Sequence, residues 1–179
     1  MTAFALHPAL ANRVAAIDFV SSRGEQLVLP STNVVLGVQL RGRVRAGDAM
    51  LATAGVTGIQ DSARKYVYVG ATDSILVRFT AQGAACLGVP AAELSRRSVA
   101  LDALLPAALL RRAHDALDDA SDASDAAARV AIVQSLLMQL PFAEDRLVAR
   151  ALRALDGGSR NVADGSGSEA GVAAIAREL

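Results

Sequence analysis

A chain of 179 residues can bury one substantial core, and 53% apolar residues with 3% aromatics and no Trp require that core to be built from Ala, Val, Leu and Ile. The 18 basic and 18 acidic residues cancel, so no long-range field favours a polyanion, and the chain by itself is a poor nucleic-acid binder. Cys86 is the sole cysteine, which excludes an intrachain disulfide or a cysteine metal cluster, and no run approaches the roughly 20 apolar residues of a membrane span. No basic segment followed by an apolar run opens the chain, so a cytoplasmic protein with no membrane partner is expected.

Pro8 to Ala16 predicts a short first helix, with Pro near its start and Leu10, Val14 and Ile17 at helical spacing; Ser21-Ser22-Arg23-Gly24 then breaks it. Six short strands follow: Gln26 to Leu29, Asn33 to Val44, Ala49 to Thr53, Val56 to Gln60, Lys65 to Val69 and Ser74 to Thr80. Turn chemistry separates them at Pro30-Ser31-Thr32, Ala46-Gly47-Asp48, Ala54-Gly55, Asp61-Ser62 and Gly70. That spacing predicts an antiparallel barrel or double-sheet roll. In the longest strand Val34, Leu36, Val38 and Leu40 share one face, expected to line the inside of the roll. Tyr66 and Tyr68 share a face opposite Val67 and Val69, and either pair could point inward.

After Gln82 the residues are small or apolar to Gly88, and Pro90 opens a short helical turn through Leu94. Leu101, Leu104, Leu105, Ala108 and Leu109 form one helical stripe, and Val130, Val133, Leu136, Leu137 and Leu140 form another on a second helix, ended by Pro141. Asp115, Asp118, Asp119, Asp122 and Asp125 lie between, a solvated helix end without the central glycine of a calcium loop; Ser121 or Ser124 suits the N-cap of the second helix. Asp145 to Leu155 reads as a third helix stopped by Gly157-Gly158, Asp164 to Ser168 as linker, and Glu169 to Leu179 as the start of a further helix. The expected class is α+β: an N-terminal antiparallel β-roll followed by an α-helical half.

The stretch Arg78-Phe79-Thr80-Ala81-Gln82-Gly83-Ala84-Ala85, then Leu87-Gly88-Val89-Pro90-Ala91-Ala92-Glu93-Leu94 and Val99-Ala100-Leu101-Asp102, resembles the sensor domain of AraC-like transcriptional regulators. Leu29-Pro30 with Val34 to Gly42, and the opening His7-Pro8-Ala9-Leu10, are similar to upstream motifs of the same family. The resemblance implies a cupin-like jelly roll that binds a small-molecule effector, helices that pair two subunits, and control of a helix-turn-helix DNA reader. It divides the chain into an effector-binding and dimerisation domain over 1–142, with the roll at 17–80 and helices at 82–141, and a segment 143–179. In that segment the third helix and Val172 to Leu179 correspond to the opening of the DNA-binding domain, whose recognition helix is expected to be missing.

Gln39, Arg64, Tyr66, Tyr68 and Arg78 are the polar or amphipathic residues within the strands and the candidate ligand contacts, since small-molecule pockets are mostly apolar with a few placed polar groups. An inward Arg78 would need a partner, which a ligand acid, Glu25, Asp61 or Glu93 could supply. Arg41, Arg43 and Arg45 fall on one face of a strand, a solvated outer face or an anion site. Val130, Val133, Leu136, Leu137 and Leu140, or the stripe Leu101 to Leu109, are expected to offer apolar surface to a second copy in a homodimer. His7 and His114 are the only histidines and none falls within Glu25 to Thr80, so no metal site, cofactor or catalytic role is expected. Cys86 reads as a buried small hydrophobe. A cupin-like enzyme and a ligand-free interaction domain are the alternatives.

Overall fold

A computed structural model describes residues 1–90, 92–120 and 126–142, which fall within the unit Met1–Phe142. The expected helix at Asp145 to Leu155, the linker and the final helix lie outside the described residues, as do Ser121, Ser124, Asp122 and Asp125.

The chain is α+β, with a seven-stranded antiparallel sheet and two α-helices among the described residues. The strands are β1 (Thr2–Phe4), β2 (Val14–Val28), β3 (Val35–Ala46), β4 (Ala49–Met50), β5 (Ala54–Thr57), β6 (Arg64–Phe79) and β7 (Ser98–Ala100). Their order is β1-β2-β6-β3-β5-β7, with β4 beside β3. The helices are α1 (Ala107–Asp119) and α2 (Ala126–Gln139).

The sheet corrects the expected first helix. Pro8–Leu10 makes only one 3-10 turn, held by the His7 ring accepting from the Ala9 N–H, and the chain is already extended at Val14. Ile17 is buried on one face while Ala16, Asp18 and Val20 take the other, so two-residue alternation prevails over the helical spacing of Leu10, Val14 and Ile17.

Two of the expected breaks are not breaks. Ser21 to Gly24 and Gly70 lie inside β2 and β6, and Gly42 likewise lies inside β3, within a strand expected to run through it. Each glycine has positive φ (68° at Gly24, 73° at Gly42 and 77° at Gly70), and the ladder slips in register beside each of the first two. Left-handed residues of this kind bend and twist a strand without ending it. Gly24 pairs with Tyr68 and Arg43 pairs with Val69, so the three glycines cross neighbouring strands as one line along which the sheet bends.

On one side of that line the sheet packs a core face of Ile17, Leu36, Val38, Val56, Ile75, Val77 and Phe79 against Leu87, Leu94, Leu101 and α2. Val34, Leu36 and Val38 are therefore buried, as their shared face requires, but against the helical half rather than within a cavity. At Gly83 and Gly58 the chain packs too closely for any side chain: a Cβ would overlap the carbonyl oxygens of Arg13 and Leu94 respectively.

The helical half also differs from expectation at Leu101 to Leu109. Leu101–Ala103 is a 3-10 turn and α1 starts only after Pro106, because proline lacks an N–H and turns the preceding residue away from helical geometry. The second helix spans Ala126–Gln139, and its last carbonyls are capped from the sheet: Arg13 Nη1 lies 3.1 Å from the Leu140 carbonyl and 3.4 Å from that of Leu137. Phe142 stacks under the same guanidinium at 4.6 Å. Val130, Val133, Leu136, Leu137 and Leu140 are all buried within the chain, which corrects their expected exposure to a second copy. Val130, Val133, Leu137 and Leu140 join the same core cluster as the buried sheet residues, so the apolar stripe is consumed there. No helix of the described residues is long and apolar enough to cross a membrane.

Candidate functional site

The strand face turned away from the helices is as informative as the core face. Asp18 and Val20 of β2, Ser74, Leu76 and Arg78 of β6, Val35, Gly37 and Gln39 of β3, and Gly55 and Thr57 of β5 all lie on it. Across the glycine line the same strands supply Val28, Val44, Arg64, Tyr66 and Tyr68. Both sets line one cavity of about 590 Å³, so the bent sheet folds over and forms it between its own two halves, with one side open. Small-molecule sites run to roughly 300–1,000 Å³, a range that contains this volume. Met1, Val28, Leu29 and Met50 are exposed apolar side chains that also line it, giving the opening a greasy rim.

Gln39, Arg64, Tyr66, Tyr68 and Arg78 are all brought together around this cavity. The question of which pair faces inward is answered for the tyrosines; Val69 on the other face is exposed. Gln39 has a structural duty, since the bend in β3 frees the Val44 N–H and Gln39 Oε1 accepts it at 3.1 Å while Nε2 donates to the Ala52 carbonyl at 2.8 Å. Burial raises the Tyr68 hydroxyl above its usual pKa, a hydrogen bond with Ser22 opposes that, and Tyr66 adds to the rise. Tyr68 is thus an uncharged phenol at neutral pH.

Arg78 does not pair with Glu25, Asp61 or Glu93. Its Nη2 donates to Asp18 Oδ2 at 2.8 Å, while Glu25 pairs with Lys65 and Asp61 with Arg96. Asp18 is the residue the sequence reading missed. The signal lay in the alternation from Ala16 to Val20, hidden by the helix assigned just before it. Asp18 is 3% exposed, and its second oxygen, Oδ1, has no hydrogen-bond partner. Such an oxygen is costly to bury.

Arg64, the first residue of β6, reaches across the opening. Its Nη1 donates to Ser98 Oγ of β7 at 3.0 Å, Ser98 and Thr57 share a hydroxyl contact at 3.1 Å, and the guanidinium lies 5.7 Å from the centre of the Tyr66 ring. This contact joins the start of one long strand to the far edge of the sheet. Arg41, Arg43 and Arg45 are exposed and are absent from the cavity wall, in keeping with a solvated outer face rather than a ligand's anion site; the cavity's guanidiniums are Arg64 and Arg78.

Cys86 is buried, and burial pushes its thiol up from 9.0 to about 11 against the opposing charge of Arg13. His114 is exposed on α1, with Nδ1 3.1 Å from Asp118 Oδ2. Among the described residues no group of three or more His, Cys, Asp or Glu side chains could hold a metal ion. Compared with protein families, curated proteins and solved structures, the chain matches none.

Proposed function

We propose that this chain is the sensor and dimerisation part of an AraC-like transcriptional regulator, its bent sheet acting as a cupin-like jelly roll that admits a small-molecule effector. The observation that carries the reading is the cavity between the two halves of β2, β3 and β6, mostly apolar but holding Gln39, Arg64, Tyr66, Tyr68 and Arg78. The motif from Arg78 to Asp102 supports the family, because it runs directly from the cavity wall at Arg78, through the close approach of Gly83 to Arg13, to the helical half.

A ligand acts on such a protein only by binding one arrangement more tightly than another. The strands supply a path for that difference: Arg78 faces the cavity, while its neighbours Val77 and Phe79 are buried against the opposite, helix-covered face. Homodimerisation belongs to the helical half in this proposal. With the Val130 stripe buried, the surface it assigns to the second copy is the groove of Leu109, Ala113 and Ala116 on α1 with Ile132 and Ser135 on α2. Sequence-specific DNA binding would be the work of a helix-turn-helix domain, and the location would be the cytoplasm.

A thermal-shift screen of the full chain against a metabolite library tests the reading. A ligand at a hundred times its dissociation constant adds about 2.7 kcal/mol of stability, and that gain should vanish when Gly37→Leu fills the cavity. A library without a single stabilising compound counts against a sensor. Sedimentation equilibrium tests the pairing, and a strict monomer at high concentration removes that part.

A further inference from the structure

We infer that the occupant of the cavity is a small organic acid with one negative charge and a hydroxyl or amino group remote from its carboxylate. This deepens the sensor reading and rests on it. The first ground is Asp18. Its carboxylate accepts hydrogen bonds and donates none, so the partner that Oδ1 lacks has to be a donor. Arg78 already occupies Oδ2 and holds the group in place, and Asp18 lines the cavity, so the buried, unpartnered Oδ1 belongs to a residue that a ligand would meet. A ligand O–H or N–H is the group that completes this site.

The second ground is charge. The ionisable side chains of the cavity wall with a formal charge at neutral pH are Asp18, Arg64 and Arg78. Asp18 and Arg78 neutralise each other, which leaves Arg64 in excess. No carboxylate of the described residues lies within ion-pair distance of Arg64, and its hydrogen bond to Ser98 uses one of the five N–H donors of a guanidinium. A carboxylate matches the fork that remains.

The third ground is separation. Arg78 pairs with Val35, Val35 with Thr57 and Thr57 with Ser98, one transverse row across four strands. Three strand spacings amount to roughly 14 Å, so Asp18 and Arg78 stand on one side of the cavity and Arg64, on Ser98, on the other. Val35 and Thr57 are the residues of that row between them, and Gly37, Leu76 and the two tyrosines line the same cavity. The occupant is therefore bifunctional: a donor at one end, an apolar middle, an acid at the other.

Two matched series test this by calorimetry on the full chain: 8-hydroxyoctanoate, octanoate and 1,8-octanediol; then 3-(4-hydroxyphenyl)propionate, 3-phenylpropionate and 3-(4-hydroxyphenyl)propanol. In at least one series the bifunctional acid should bind at least tenfold more tightly than either truncated compound. Arg64→Gln should erase its advantage over the alcohol, and Asp18→Asn its advantage over the simple acid. Should Asp18→Asn not fold, the comparison of ligands on the unaltered protein still decides. Equal affinity within both series overturns the inference. Binding of neutral or cationic library compounds in the cavity, with both acids inert, overturns it and leaves the sensor reading standing. Absence of any binder removes both.

Discussion

Arg78 holds Asp18 through a 2.8 Å contact between Nη2 and Oδ2, joining β6 to β2 with a carboxylate that is buried and a guanidinium whose side chain is 44% exposed. Removing the arginine strands the carboxylate. For a fully buried pair the loss runs to about 3–5 kcal/mol, whereas an exposed pair is worth about 1 or less. Arg78→Ala should fall between, at about 1–3 kcal/mol of unfolding free energy in urea. Asp18→Asn should cost less than Arg78→Ala, because the guanidinium it leaves unpaired is 44% exposed to water, whereas the carboxylate stranded by Arg78→Ala is buried. The reverse order would mean that the pair is not what stabilises this wall.

The glycine line makes a graded prediction. Gly42 has φ 73° and a Cβ there would lie 2.7 Å from the Ala71 carbonyl and 2.5 Å from Thr72 Oγ1, whereas Gly24, Gly47 and Gly70 have positive φ with open space. Left-handed geometry alone costs an alanine about 1–2 kcal/mol. Gly24→Ala, Gly47→Ala and Gly70→Ala should each lose that amount, and Gly42→Ala clearly more. Urea midpoints of the four variants check the order.

Alkaline pH should weaken the fold through Cys86. Its folded pKa is about 11 against 9.0 for the free thiol, so below pH 9 folded and unfolded chains both keep the proton. Between about 9 and 11 only the unfolded chain releases it, and stability falls by up to about 1.4 kcal/mol per pH unit. Cys86→Ala should flatten that slope between pH 9 and 10, before the tyrosines contribute. Native protein at pH 8 should also react with a thiol reagent far more slowly than the urea-unfolded chain.

Arg13 ties the sheet to α2 through the carbonyls of Leu137 and Leu140 and stacks on Phe142. Arg13→Met keeps much of the apolar stem but leaves those helix-end carbonyls unmet. A loss of about 1–2 kcal/mol is expected. Hydrogen exchange should accelerate first at the last turn of α2, ahead of the β6 amides.

Alternation exposed most of the sheet in the sequence, because Leu36, Val38, Ile75 and Val77 must share a face to be buried together. The extent of the strands was hidden. A glycine that bulges a ladder carries the same letter as one that ends it, and only the pairing of Gly24 with Tyr68 separates the two cases. The five candidate cavity residues were legible as polar positions in strands. Asp18 was not, since its role depends on a partner 60 residues away and on a strand that local spacing disguised as a helix. The stripe on α2 was read correctly as apolar and wrongly as free, because a sequence marks which side of a helix avoids water but not what covers it.

Floor and roof of the cavity are successive stretches of the same three strands, turned over at single glycines. Floor and roof consequently share one alignment: inserting or deleting a single residue before Gly42 or Gly70 would swap every side chain beyond it from interior to exterior. Variation in what the cavity accepts is thereby confined to exchanges at fixed positions, with the exposed rim as the place where length can change freely.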